Sequence, residues 1–274
     1  MGQDIAATFS YGSENARYGA SVAWSEEGLL VGAPGERVAR LDGEVLEGPY
    51  EWVGWSDGRL IQADGTYFWV DRALAYTLDG AIAWGAGPAG LYAATHEGLV
   101  RLDDPWVVGQ RGIQSIYAGE NRVLAVICDP PQSCGAFAFT PEGKALGEIG
   151  EAGAEGAILE VDGVAWAGAP DWDHGEAPGR VCSENGNCIQ GLPGDHLGRS
   201  LAPGFAVGMF NREAMPPRLR VVPFVEGNPV YVLEEGSEYQ EVAVSAGPGV
   251  LVVGSPYAMY GGLPAGMVTV AEIP

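Results

Sequence analysis

The chain has 274 residues, of which 47% are hydrophobic, and its 43 glycines and 19 prolines divide the apolar residues into short runs. Its formal net charge of -22, from 36 acidic and 14 basic residues, argues against a nucleic-acid partner and against an anionic membrane surface, because both would repel it. No apolar segment approaches the roughly 20 residues of a membrane-spanning helix, and the chain opens without the apolar core of a signal peptide. We therefore expect a soluble region, excised from a longer secreted or anchored protein, that does not insert into membranes.

Turns recur along the whole chain and separate runs rich in Val, Tyr, Trp, Phe and Ile, the composition typical of strands. Seven of these turns stand at comparable positions, each between two such runs: Gly28, Gly58, Gly90, Asn121, Gly163, Gly204 and Gly249. The intervals of about 30 to 46 residues leave room for four short strands each, the content of one propeller blade. The sequence therefore predicts an all-β fold, in which a single domain over residues 1–274 forms a seven-bladed β-propeller of four-stranded blades.

The two ends of the chain predict how the ring of blades closes. The last blade has only three apolar runs, because the chain stops soon after the run 267–272. The segment 4–11 precedes the first blade and has no partner of its own. We expect this N-terminal strand to complete the last blade and to remove an open sheet edge.

Four cysteines form two pairs with one spacing, Cys128 with Cys134 and Cys182 with Cys188. We expect two disulfides, each adding about 2 kcal/mol of stability, and therefore a secreted, periplasmic or cell-surface location. The alternatives are free buried cysteines and a zinc site of four thiolates, although zinc-binding cysteine pairs are usually more closely spaced.

The fifth blade can be interpreted strand by strand. A three-residue hairpin loop with Gly186 in the left-handed bulge position would place Cys182 opposite Cys188. The disulfide would then join the two outer strands of this blade. The predicted strands are 157–162, 164–168, 179–183 and 187–191.

Several short fragments resemble one another and a known family. Gly32-Ala33-Pro34, Gly168-Ala169-Pro170 and Gly254-Ser255-Pro256 each end an apolar run, while Tyr18-Gly19-Ala20-Ser21 and Leu197-Gly198-Arg199-Ser200 begin one. Small residues let crowded strands approach closely and Pro ends the strand ladder, which is an architectural explanation. Together the fragments resemble the FG-GAP repeat of the integrin α-subunit β-propeller. This resemblance implies seven blades, a role in cell adhesion, and calcium ions held in the hairpins between first and second strands.

Those hairpins are short in this chain and offer too few oxygen ligands for calcium. We therefore predict that the usual calcium sites are missing and that the protein holds no cofactor. The densest acidic cluster, at Asp171, Asp173 and Glu176, is the remaining candidate metal site, although calcium takes six to eight oxygens. The alternative is a solvated acidic loop.

No catalytic constellation is evident. The three histidines, His96, His174 and His196, do not fall in a recognisable triad, and two of them lie in predicted exposed turns. Gly85-Ala86-Gly87-Pro88-Ala89-Gly90 matches a dinucleotide-binding pattern by spacing alone. A strand follows it instead of the helix that would hold the pyrophosphate, so we reject this match.

What remains is a binding surface. Loops that join second to third strands gather on one face of a propeller, and here they carry aromatic residues with polar tips, which are common interface anchors. The candidates, from the fifth, sixth and seventh blades, are Asp171, Trp172, Asp173, His174, Phe210, Asn211, Tyr257 and Tyr260. The alternative is that these aromatic residues merely cover the core.

The sequence therefore predicts a non-catalytic extracellular binding module, monomeric and similar to the integrin α propeller, with a protein or glycan ligand. The alternatives are a metal-assisted secreted hydrolase that uses Asp171, Asp173 or His174, and a structural subunit of a surface assembly.

Overall fold

The structure is a computed structural model. It describes residues 3–5, 7–36, 38–42, 44–48, 50–56, 58–104, 106–129, 133–172, 178–210, 218–224, 230–233 and 243–272. All regular elements among these residues are strands, and no described helix is long and apolar enough to cross a membrane.

The described strands, in chain order, are β1 (Gln3–Ile5), β2 (Ala7–Tyr11), β3 (Ser21–Ser25), β4 (Gly28–Ala33), β5 (Val38–Leu41), β6 (Glu44–Glu47), β7 (Trp52–Ser56), β8 (Arg59–Ala63), β9 (Tyr67–Val70), β10 (Ala73–Thr77), β11 (Ala83–Gly87), β12 (Gly90–Ala94), β13 (Leu99–Arg101), β14 (Trp106–Val108), β15 (Ile113–Ala118), β16 (Val123–Asp129), β17 (Ser133–Phe139), β18 (Ala145–Ala152), β19 (Ile158–Val161), β20 (Val164–Ala169), β21 (Arg180–Ser183), β22 (Cys188–Gln190), β23 (Ser200–Ala202), β24 (Phe205–Phe210), β25 (Arg218–Pro223), β26 (Val230–Leu233), β27 (Ala243–Gly247), β28 (Val250–Ser255), β29 (Met259–Tyr260), β30 (Leu263–Pro264) and β31 (Met267–Glu272).

Apart from the small hairpin β29–β30, these strands form seven sheets, numbered here in chain order. Six have four strands: β3–β6 (sheet one), β7–β10 (two), β11–β14 (three), β15–β18 (four), β19–β22 (five) and β27, β28, β31 and β2 (seven). Sheet six joins β23–β26 to β1. Apart from β1, which pairs in parallel with β26, neighbouring strands of the sheets are antiparallel, and the fold is the predicted seven-bladed β-propeller.

The chain divides into two compact units. The first comprises Met1–Asp64 and Ala202–Pro274, and the second comprises Gly65–Leu201. The first unit holds sheet one, sheet seven, the hairpin β7–β8 and nearly all of sheet six, while the second holds sheets three to five and the hairpin β9–β10. The assignment of residues 1–274 to a single domain stays a prediction.

The N-terminal strand completes sheet seven, as predicted. Strand β2 pairs with β31 in antiparallel register, with Ala7 opposite Ala271 and Tyr11 opposite Met267. The first residues of the predicted segment behave differently, because Asp4 and Ile5 belong to β1, which pairs in parallel with β26 of sheet six. The backbone groups at the outer edge of β26 would otherwise lack a partner strand, and β1 pairs with them.

Sheet five follows the sequence interpretation closely. Its four strands lie within a residue or so of the predicted bounds, and Gly186 has the expected left-handed φ of 84°. Cys182 stands opposite Cys188, and Cys128 stands opposite Cys134 in sheet four. Both pairs are disulfides and no cysteine is free, so the free-thiol and zinc alternatives are wrong.

Four glycines of the repeated fragments meet in two pairs, whereas Gly32 of the first fragment faces the Oγ of Ser21. In the second unit, a Cβ on Gly168 would lie 1.9 Å from the carbonyl oxygen of Gly198, and a Cβ on Gly198 would lie 2.7 Å from Gly168 Cα. In the first unit, Gly254 and Gly19 repeat this contact, with distances of 2.1 and 2.9 Å. Each pair joins the second strand of one sheet to the segment that leads into the next sheet. The architectural explanation of these fragments therefore holds, and the close approach is between backbones.

Apolar side chains fill the space between neighbouring sheets of the same unit. One cluster joins sheets three and four around Tyr92, Ile116 and Phe139, and another joins sheets four and five around Leu124 and Ile158. In the first unit, Val22 and Val31 of sheet one pack against Val252 and Val268 of sheet seven. The core is thus a series of layers between sheets, and the connecting loops are left at the surface.

Replacing Gly198 with Ala should destabilise the protein by at least about 2 kcal/mol, because the new Cβ meets backbone atoms and φ is +106°. Gly204→Ala is the matched control, since φ there is +83° but no atom lies within 4 Å of the new Cβ. That variant should lose only about 1 kcal/mol. Urea unfolding measures both, and equal losses would show that the glycine contact does not matter.

Reducing the two disulfides should lower the free energy of unfolding by about 2 kcal/mol each, because each closes a small loop of the unfolded chain. The measurement is the urea midpoint with and without a phosphine reductant. A variant with all four cysteines replaced by Ala is the control, and the reductant should not change its midpoint. An unchanged midpoint in the native protein would contradict the expected contribution.

Candidate binding loops

The loop after β20 carries the first predicted binding residues, and the Trp172 ring in this loop packs against an arginine side chain. The guanidinium of Arg180, at the start of β21, lies over the Trp172 ring, 4.6 Å from its centroid. Glu151, near the end of β18, forms an ion pair with Arg180. The backbone N–H of Trp172 donates a 3.2 Å hydrogen bond to the Ala169 carbonyl, which closes the turn. The indole is half-buried and is contacted by the guanidinium of Arg180.

Asp171 is paired with a histidine that lies far away in the sequence. Its Oδ1 lies 3.3 Å from Nδ1 of His196, in the segment that leads into β23. Asp195 beside it is fully buried, and its Oδ2 accepts a 2.7 Å hydrogen bond from the Leu192 N–H. His196 was expected as an exposed turn residue, but its side chain is only 30% exposed and its φ is +47°. The turn prediction is right, while the exposure is lower than expected, and the ring contacts Asp171.

A third pair, between Arg199 and Glu155, lies in the same group of connecting segments. In all three pairs the carboxylate is the more exposed partner: the Glu151 side chain is 73% exposed and that of Arg180 only 21%. The outward face of this region therefore presents carboxylates together with the edge of an indole. We call Glu151, Glu155, Asp171, Trp172 and His196 the blade-five loop cluster.

In the first unit, the loop between β28 and β31 is an ordered hairpin. Gly261 and Gly262 form its turn, and the Ala258 carbonyl accepts two hydrogen bonds, from the N–H groups of Ala265 and Gly266. Tyr257 at its base is 38% exposed, and the guanidinium of Arg17 lies over its ring at 5.7 Å. Met259 and Leu263 are also exposed. We call this the blade-seven hairpin.

The two loops are built on one frame. Asp171 and Tyr257 each follow the Pro of a Gly-x-Pro fragment. Their partners stand two residues before a glycine that leads into the next sheet: His196 before Gly198 and Arg17 before Gly19. Both partners have positive φ, at +47° and +52°. Parallel bridges at Gly179 with Leu197 and at Tyr18 with Gly266 repeat the same geometry. The backbone therefore presents side chains of different chemistry at equivalent positions.

Several predicted site residues lie outside the described residues. Asp173, His174 and Glu176 of the fifth blade and Asn211 of the sixth are among them. Phe210 ends β24 and Tyr260 ends β29, but only their backbones are described. The proposed single binding face across three blades therefore stays a prediction. No group of three or more His, Cys, Asp or Glu residues suited to a metal occurs in the described part of the chain, and the site at Asp171, Asp173 and Glu176 remains untested.

The sequence pattern does not single out Arg180, Arg199 and Arg17, and it assigns His196 only to a turn. The candidate residues come only from the loops after the second strands. Arg180 instead begins β21, His196 and Arg199 lie just before β23, and Arg17 lies before β3. The internal repeat contained a usable signal, because aligning Tyr18-Gly19 with Leu197-Gly198 places Arg17 and His196 at the same position.

A second charged group, on the hairpins at the other ends of the strands, pairs two carboxylates around one arginine. Arg122 donates hydrogen bonds of 2.8 and 2.7 Å to the two carboxylate oxygens of Glu184 and a third to Glu160. It also donates to the Gly163 carbonyl at 2.9 Å, and Glu184 accepts from the Ala165 N–H at 3.0 Å. The group joins sheets four and five.

Its electrostatics indicate a structural role. The hydrogen bonds from Arg122 hold the pKa of Glu184 below its ordinary value, and the carboxylates in turn raise the pKa of Arg122. A carboxylate that stays ionised and fully hydrogen-bonded has no proton to donate to a substrate. We therefore interpret this group as an ion-pair clamp and not as a catalytic pair.

A scan against protein-family models finds no match for this chain, and a search of curated proteins finds none either. Solved structures match over nearly the whole chain. BamB from Moraxella catarrhalis is 10% identical with a TM-score of 0.59, and the match covers 98% of this chain and 100% of that one. The extracellular domain of the hybrid two component system BT4673 from B. thetaiotaomicron is 12% identical with a TM-score of 0.62, covering 98% of this chain and 40% of that one.

An enzyme also shares the fold. The gluconolactonase XC5397 from Xanthomonas campestris is 10% identical with a TM-score of 0.53, and the match covers 97% of this chain and 90% of that one. At these identities the similarity shows the propeller fold alone, which supports many unrelated functions. Nothing among these matches distinguishes the FG-GAP family from other seven-bladed propellers.

The Arg122→Met variant should lose about 2 kcal/mol of stability at pH 7, because it leaves Glu160 and Glu184 partly buried without their cation. Since the folded pKa of Glu184 is lowered, its stabilisation is present above the unfolded value near 4.5 and is lost as pH falls through the folded value. The wild type should therefore lose more stability than the variant on acidification below about pH 4.5.

Urea unfolding between pH 7 and pH 3 measures this difference. Lys144→Met is the matched control, because it removes one positive charge from the same unit at an exposed position. Parallel pH profiles for wild type and Arg122→Met would contradict the clamp.

Proposed function

We propose that this protein is a non-catalytic extracellular binding module that recognises a protein or a glycan through the loops between the second and third strands of its blades. The observation that carries the proposal is the common frame of the blade-five loop cluster and the blade-seven hairpin. In both, the residue after Pro is exposed and is contacted by a residue of the next sheet, yet the side chains differ completely. A rigid frame that displays varied, ordered side chains is typical of binding loops.

The chemistry of the displayed residues supports the same proposal. Trp172 and Tyr257 are amphipathic aromatic residues, each contacted by a guanidinium, so they lose little side-chain entropy when a ligand binds. Exposed carboxylates surround the first, and exposed Met259 and Leu263 accompany the second. We infer two contact areas of different character, one polar and one apolar.

The setting of these loops supports an extracellular or periplasmic location. The protein has two disulfides. Structural disulfides are typical of oxidising compartments and are rare in the cytosol. The Cys128–Cys134 disulfide joins β16 and β17 of sheet four beside the loop that connects these second and third strands. An adhesive role like that of the integrin α propeller is the specific form of the proposal that the FG-GAP resemblance implies.

The proposal is tested with two probes applied to the purified protein, a glycan microarray and a phage library of random peptides. Ligands selected by the wild type should bind Trp172→Ala or Tyr257→Ala at least about tenfold more weakly, because truncated interface anchors cost 2 kcal/mol or more. Trp69→Ala, which removes a half-buried indole from the outer hairpin of sheet two, is the matched control. Affinities that fall only in the control, or in no variant, would contradict the proposed loops.

A second candidate is a metal-assisted hydrolase. The favouring observation is the Asp171 and His196 pair, a carboxylate and an imidazole in contact at a surface loop. This candidate expects a stoichiometric divalent metal by elemental analysis and hydrolysis of a lactone or ester substrate that His196→Ala abolishes. Metal-free protein with no turnover in such a screen would leave the binding module as the supported function.

A further inference from the structure

Sheet two contains a completely buried polar side chain that has no hydrogen bond to any described residue. Gln62, in β8, has no exposed surface, and neither its Oε1 nor its Nε2 has a hydrogen-bond partner among the described residues. A neutral amide can donate two hydrogen bonds and accept two, so four interactions are unaccounted for. Leaving even one buried polar group unpaired costs about 1 to 3 kcal/mol, which makes an empty site costly.

A second unpaired group lies on the same face of the sheet. The indole Nε1 of Trp55, in β7, is also buried without a partner among the described residues. Gln62 stands opposite Val53 and Leu60 stands opposite Trp55 in the antiparallel pair, and residues two apart share a face. Trp55 and Gln62 are therefore diagonal neighbours, a separation that long and aromatic side chains can bridge.

The other two side chains that share this face in β7 and β8 are apolar and closed to solvent. Val53 is 2% exposed and Leu60 is 6% exposed, so bulk water does not reach the amide. None of these four side chains carries a charge, which disfavours a metal ion or an anion as the missing partner. The site offers donors and acceptors together in a small space, and this combination matches water.

We propose that one or more ordered water molecules are bound inside sheet two, where they bridge the Gln62 amide and the Trp55 indole N–H. Such a water would accept from the indole and from the amide nitrogen and would donate to the amide oxygen. It converts two unpaired groups into a hydrogen-bonded network that links neighbouring strands β7 and β8. This inference concerns the core and does not depend on the proposed binding function.

The direct test is a high-resolution crystal structure of the wild type. The expected result is a density peak for water within hydrogen-bond distance of both a Gln62 amide atom and Trp55 Nε1. A dry site, or an amide that is bonded directly to another protein group, would overturn the proposal.

A stability measurement tests it independently. Gln62→Met removes the amide at similar volume, and Ile61→Met, on the opposite face of the same strand, is the matched control for placing Met in a buried site. If water satisfies the amide, Gln62→Met should melt at or below the temperature of Ile61→Met. If the amide is an unpaired group in a dry core, removing it should raise the melting temperature above that of the control, by roughly 2 °C or more.

Discussion

Close contact between two glycine backbones is the constraint on which the rest of this structure depends. Gly168 meets Gly198 in one unit and Gly254 meets Gly19 in the other, at distances that leave no room for a Cβ. Each contact fixes the end of a second strand against the segment that leads into the next sheet. At these two places the contact limits where the loop that leaves the second strand can lie.

The candidate binding loops are built on these glycine contacts. The residue just past each Pro follows a closely packed glycine, and the next sheet supplies a side chain that contacts it. His196 contacts Asp171 and Arg17 contacts Tyr257 from equivalent positions. Side-chain identity at these positions is not needed for packing, so it can serve recognition. This separation between frame and display is the physical basis of the proposed binding function.

Arginine has a specific task in this acidic chain. Arg122 holds two carboxylates of sheets four and five, while Arg101 donates to Asp103 and to the Pro141 carbonyl beside the buried Tyr92. Burial raises the pKa of Tyr92 to about 12, so its hydroxyl stays protonated and donates a 2.8 Å hydrogen bond to the Ala89 carbonyl. Arg122 and Arg101 thus connect neighbouring sheets. Because acidic residues far outnumber basic ones, most of the other charged side chains are negative.

The sequence by itself determined the local and repetitive part of this protein. Turn glycines at regular intervals specify short strands, the cysteine spacing specifies hairpin disulfides, and the unpaired N-terminal segment specifies the last strand of sheet seven, because each of these signals is contained within a few neighbouring residues or one repeat. Only the tertiary structure decided that β1 joins sheet six, that Arg180 lies over Trp172, that His196 contacts Asp171, and that Gln62 is buried without a partner among the described residues. These contacts join residues from different strands and loops, and their geometry depends on the twist and spacing of the sheets, which no local pattern encodes.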